Sequence, residues 1–97
     1  MNPYDYVKKE PYKLYINGEF VPSASKRTFD ITNPANNEVF DKAYSGGRAD
    51  VEKAISAARD AFDHGPWGKM TNRQRSRLLL DARDLLSRRA EEFAALE

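Results

Sequence analysis

The chain holds one histidine and no cysteine, and those two counts bound the chemistry its own side chains can do. Without cysteine there is no thiol nucleophile, no thiolate zinc site and no disulfide framework. His64 falls at the end of a predicted helix, where the helix dipole favours an imidazolium, so a capping or surface role fits it better than catalysis. Asp60 with Asp63, and Glu91 with Glu92, are spaced as carboxylate pairs that could act as acid and base. On a helix such neighbours are usually solvated, and no metal-ligand spacing joins them to His64. Gly46-Gly47 precedes a helix whose free N–H groups could take a phosphate, but neither a G-x-G-x-x-G run nor a Walker lysine accompanies it. Ser23, Ser25, Ser45, Ser56, Ser76 and Ser87 lack a G-x-S-x-G setting, which leaves a serine nucleophile unsupported.

The elements that position these residues change period along the chain. Met1 to Pro11 shows no periodicity and reads as an arm that crosses another surface or moves freely. Tyr12 to Ile16 is a short strand pattern, Asn17-Gly18 a two-residue hairpin turn in which both residues accept positive φ, and Glu19-Phe20-Val21 the return. That loop length sets Tyr15 opposite Phe20 and Leu14 opposite Val21, and Pro22 ends the ladder. Thr28 to Thr32 alternates again, with Phe29 and Ile31 on one face. Asn33 to Asn37 is a turn cluster in which either Asn36 or Asn37 can take the left-handed region, and Glu38 to Tyr44 returns.

From Arg48 the period becomes about 3.6. Val51, Ala54, Ile55, Ala58, Ala61 and Phe62 form one helical stripe, whose alanines suit close approach to a sheet or a second helix. Gly65 and Pro66 stop it. Thr71-Asn72-Arg73-Gln74 is a capping box that opens a second helix with Leu79, Ala82, Leu86, Ala90 and Phe93 on its stripe. Leu78, Leu85 and Leu96 widen that stripe beyond what one neighbour would hide. The helical pattern continues through Glu97 without a stop signal, which leads us to expect a truncated element. Trp67, in the link, is expected to fill space between the helices more readily than to face a partner. Arg73, Arg75 and Arg77 stand where the dipole disfavours positive charge and call for a compensating group.

The fold class is therefore an α+β segment, two N-terminal β-hairpins followed by two long α-helices. Residues 1–11 form the arm and residues 12–97 one incomplete domain. A chain of 97 residues buries only about 60 to 70 per cent of its unfolded surface, so its own stability is expected to be marginal. Net charge is +1 overall, yet Lys69 to Arg89 carries seven basic residues against two acidic. Such a block can meet phosphates but is more often a solvated or partner-facing helix side. The first ten residues lack the apolar core of a signal peptide, and Leu78 to Leu80 is the longest apolar run, so the chain is assigned to the cytoplasm with no membrane contact.

The string Leu14 to Val21, then Phe29 to Val39, resembles the N-terminal region of the NAD(P)-dependent aldehyde dehydrogenase superfamily. Asp50 to Ile55, Ala57 to Asp63, Gly65-Pro66-Trp67, Met70 and Arg75 to Leu79 are similar to that family's first two helices and their link. The resemblance covers Tyr12 to Glu97. It implies the front of an α/β enzyme that oxidises an aldehyde to a carboxylic acid with NAD or NADP, by thiolate attack, hydride transfer and thioester hydrolysis. It also implies that the catalytic cysteine, the general-base glutamate, the oxyanion asparagine and the dinucleotide motif lie outside these residues. The segment would then bind no cofactor by itself. Many members hold a monovalent cation through backbone carbonyls that map onto Ile31 and Thr32, with an acidic partner beyond Glu97; carbonyl oxygens suit a hard cation. Where the family often caps its first helix with an acidic residue, this chain has Gly47, which implies a weaker cap.

Two readings follow. In the first, the chain is scaffold for a homo-oligomeric dehydrogenase, partnered by the remainder of that chain and prone to self-association alone, as by exchange of helices between copies. In the second, it is a stand-alone α+β interaction module with a basic helix, although the aromatic platform of a nucleic-acid binder is missing.

Overall fold

The structure, a computed structural model, describes residues 2–97. The described residues form two compact units, residues 8–60 and residues 61–97 with residues 2–7.

In the first unit, β1 (Leu14–Ile16) and β2 (Glu19–Val21) pair antiparallel with Leu14 opposite Val21 and Tyr15 opposite Phe20. This is the register that a two-residue loop dictates. Asn17 (φ 53°) and Gly18 (φ 78°) both take the left-handed region. The Tyr15 and Phe20 rings lie 4.8 Å apart, and the Lys8 ammonium sits 5.4 Å over the Phe20 ring.

A second hairpin joins β3 (Thr28–Asn33) to β4 (Glu38–Tyr44). Its turn is fixed by side chains: Asn33 Oδ1 accepts from the Ala35 N–H and Asn36 Oδ1 from the Glu38 N–H. Asn37, at φ 62°, is the residue that turns left-handed. Lys42 and Asp30 pair across the strands at 2.8 Å. On the far side of β4, Tyr12 donates its N–H to the Lys42 carbonyl and accepts from the Tyr44 N–H. The first strand therefore begins at Leu14, and Tyr12 extends the second hairpin, a pairing that local alternation does not reveal.

Helix α1 (Arg48–His64) follows. Its stripe, expected to lie against a neighbour, leaves Val51, Ile55, Ala58, Ala61 and Phe62 exposed, and only Ala54 of the stripe, with Ala57 beside it, is half-buried. Gly65 ends the helix by donating its N–H to the Ala61 carbonyl. A Cβ at Gly65 would stand 2.3 Å from that oxygen, too close for any other residue without a backbone shift.

In the second unit, a 3-10 turn at Trp67–Lys69 leads to α2 (Asn72–Arg88), opened by the full capping box. Thr71 Oγ1 accepts from the Gln74 N–H and Gln74 Oε1 accepts from the Thr71 N–H. The second helical stretch is not continuous as expected. It breaks at Arg89 (φ −112°, ψ 21°) and resumes as α3 (Ala90–Leu96). Arg89 spans the break, pairing with Glu92 at 2.8 Å and lying over the Phe93 ring. The arm is also more ordered than its sequence suggests. Pro3–Tyr6 forms a 3-10 turn capped by Asn2, and it packs on α3.

Among the described residues no hydrophobic side chain is buried. Burial of a leucine or phenylalanine stabilises a fold by about 1.5–3 kcal/mol, and that term is reduced here, where Leu14, Ile16, Val21 and Ile31 are only half-buried, so caps and turns carry much of the local order. Replacing Thr71 by alanine removes an N-cap worth about 1 kcal/mol, and with no core to compensate it should lower the helix content measured by circular dichroism. Thr71→Asp, which keeps a capping oxygen, should hold it.

Candidate functional site

The two buried residues among those described are polar, Ser23 (1% exposed) and Asp50 (7%), and they meet where the loop after β2 reaches the start of α1. Asp50 is the third residue of α1, the position from which a side chain can reach back to the cap. One carboxylate oxygen, Oδ2, accepts from the Gly47 N–H at 2.9 Å, and the other, Oδ1, accepts from the Ala24 N–H at 3.0 Å. The Gly47 bond, then the Ala24 bond, holds the Asp50 carboxyl below its usual range; burial opposes this, and Lys53 adds a smaller lowering. Ser23 Oγ has no hydrogen-bond partner. Its carbonyl accepts from the N–H of Lys26, which sits at φ 58°, so loop 22–27 is tightly folded around the carboxylate.

This junction answers the glycine pair. The Gly47 N–H that could have met a phosphate is taken by Asp50, and the negative charge favoured at a helix start comes from the chain itself. Gly47 is thus not a weak cap, because Asp50 supplies the acidic group from inside the helix. The sequence signal, a Gly-x-x-Asp half of a capping box, was present. Its second arm to Ala24, 26 positions away, had none.

Ile31 and Thr32, the candidate cation ligands, fall at an irregularity in the second hairpin. Ile31 pairs with Asp41 and Thr32 with Val39, leaving Phe40 as an extra residue. A bulge disrupts the ladder locally. Two carbonyls are short of the about six oxygens that a hard cation takes. Asp41 does not complete the set. Its Oδ1 accepts from the Lys42 N–H, and the Lys42 carbonyl faces Tyr12, so this carboxylate turns to the edge of β4 away from β3. Its Oδ2 is buried without a partner. Among the described residues no group of three or more His, Cys, Asp or Glu side chains could hold a metal ion.

The remaining candidates lie on the helices. His64 ends α1 as its last-turn base, Asp60 and Asp63 lie on exposed helix surface, and Glu91 and Glu92 open α3. Trp67 does not fill a core: it is 47% exposed, and Arg75 lies 5.8 Å over its ring while donating Nε–H to its carbonyl at 3.1 Å. This also supplies the compensating group expected for Arg75. Further along, Arg77 pairs with Asp81 and Arg83 with Asp84, so the basic block is partly neutralised by its own helix.

Comparison with known proteins gives these features a context. The aldehyde dehydrogenase family matches the chain over residues 20–97. Human mitochondrial 10-formyltetrahydrofolate dehydrogenase is 40% identical over 101 aligned positions, covering 96% of this chain and 11% of that protein. An Arabidopsis thaliana aldehyde dehydrogenase, family 2 member C4, is 45% identical over 85 residues, 88% of this chain and 17% of its own length. The NAD+ complex of a Bacillus cereus aldehyde dehydrogenase superposes with a TM-score of 0.79 at 39% identity, over 88% of this chain and 17% of that one. The chain thus spans between about a tenth and a sixth of the proteins it matches.

Two variants test the local geometry. A carboxylate with a lowered folded pKa stabilises above its unfolded value, and that stability is lost as pH falls through the folded value. Asp50→Asn faces one of the two N–H groups with an NH2, so it should be less ordered at neutral pH. It should also lack part of the wild-type loss of structure as pH falls below the ordinary carboxylate range, followed by circular dichroism. Arg75→Lys keeps the charge but not the planar stack, and should shift the emission of Trp67, the only tryptophan.

Proposed function

The chain belongs to the aldehyde dehydrogenase family, and from that premise we propose that it is the N-terminal scaffold segment of an enzyme that oxidises an aldehyde to a carboxylic acid with NAD or NADP. The observation that carries this reading is the state of its helices. Leu79, Leu85 and Leu86 of α2, Phe93 and Leu96 of α3, and Ile55 and Phe62 of α1 are all exposed in a chain that covers 17% of a solved relative. Faces of this kind are made to be covered by protein, and the remainder of the dehydrogenase chain is the partner that covers them.

The segment supplies position and no chemistry. With no cysteine in the sequence, the thiol belongs to the remainder, where the family resemblance also puts the base and the dinucleotide-binding loop, and the 97 residues alone are expected to be inactive. NAD is the coenzyme bound in the Bacillus cereus relative, which supports NAD as the hydride acceptor of the assembled enzyme. The carbonyls of Ile31 and Thr32 contribute two oxygens to a monovalent-cation site that groups outside this chain complete. Among the described residues no helix is long and apolar enough to cross a membrane, in keeping with a cytoplasmic enzyme. The alternative, a stand-alone basic module, is disfavoured by the ion pairs that neutralise Arg77, Arg83 and Arg89.

Two measurements decide the matter. The reading frame past Glu97 should continue into a glycine-rich βαβ unit and a downstream cysteine; a stop codon there counts for the module. The isolated chain should show no NAD-linked aldehyde oxidation, and the continuous polypeptide should show it.

A further inference from the structure

Six asparagines occur in the chain, and one of them, Asn17, is followed by glycine. Asn2 and Asn33 precede proline, whose nitrogen carries no hydrogen and cannot become a nucleophile. Asn36, Asn37 and Asn72 precede residues with side chains that hinder attack. Asn17 is exposed, its side chain has no hydrogen-bond partner among the described residues, and a Cβ built at Gly18 meets nothing within 4 Å. The approach to its carboxamide is therefore open. What holds the peptide back is the left-handed turn, and that turn is secured by a ladder of three residue pairs whose aromatic contact, Tyr15 with Phe20, is exposed on both sides. A two-stranded hairpin without a covering layer is marginal and opens locally.

We propose that Asn17 is a self-modification site gated by opening of the β1–β2 hairpin. When the turn opens, the deprotonated Gly18 amide nitrogen attacks Asn17 Cγ. The new C–N bond closes a succinimide, and the side-chain nitrogen leaves as ammonia. Water then opens the ring at either carbonyl, giving aspartate or isoaspartate, with no oxidant or co-reactant beyond water and hydroxide. The aspartate product keeps an Asp-Gly turn. Isoaspartate routes the backbone through an extra methylene, so the two-residue loop can no longer set Tyr15 against Phe20, and the hairpin does not close again in its original register.

The test ages the 97-residue chain at mildly alkaline pH and maps isoaspartate by methyl transfer from an isoaspartyl methyltransferase, followed by peptide mass analysis. Label should concentrate at position 17. Phe20→Ala, which weakens the ladder, and wild-type chain in urea should both accumulate it several-fold faster, and Asn17→Gln should release no ammonia from this site. The proposal is overturned if label spreads over the other asparagines. It is equally overturned if Asn17 reacts at one rate in the wild type, in Phe20→Ala and in urea, which would mean that the hairpin exerts no gate.

Discussion

Water against Leu79, Ile55 and Phe62 is the condition to which the rest of this chain answers. The hydrophobic term dominates the stability of a domain, and here it is withheld, since no apolar side chain among the described residues is buried. The secondary structure must then be specified by interactions that close over a few residues. Each element indeed carries its own. Asn2 caps the first turn, Asn33 and Asn36 bind the second hairpin's loop, Thr71 and Gln74 close a reciprocal box, and Gly65 halts α1.

Asp50 goes further with its side chain, because, like the Tyr12 backbone on β4, it joins segments far apart in sequence. Its carboxylate does for loop 22–27 what a core does elsewhere, fixing a strand connection against a helix. It does so by charge-assisted hydrogen bonds, which require no apolar layer. A bond of that kind survives in a segment whose large faces are still in water, and it explains why the two most buried side chains among the described residues are a serine and an aspartate rather than leucines.

Legibility followed the same division. The Asn17-Gly18 register, the Asn37 turn and the Thr71 box were readable because turn and cap chemistry is local. The exposed leucine stripe was readable because helical period depends on sequence alone. Tyr12 on the edge of β4, Asp50 with Ala24, and the 3-10 turn on α3 were not readable, since each pairs residues that no local rule connects. The size of Trp67 suggests burial, whereas Arg75 offers it a guanidinium at the surface. The break at Arg89 also escapes the periodicity, which runs unbroken across it and contains neither glycine nor proline.

The bulge at Ile31 and Thr32 shows how local order and an absent partner fit together. A regular ladder from Asn33 to Thr28 would engage its carbonyls in alternation with β4. The extra residue, Phe40, interrupts that pattern at the dipeptide the family resemblance singles out. The interruption costs ladder bonds at that point, and Asp41 beside it turns its carboxylate to the opposite edge of β4. The defect falls between the fourth and fifth residues of a six-residue strand, so the pairs on either side of it, Asp30 with Lys42 and Asn33 with Glu38, still hold the hairpin together. The leucines of α2 are likewise left exposed among the described residues.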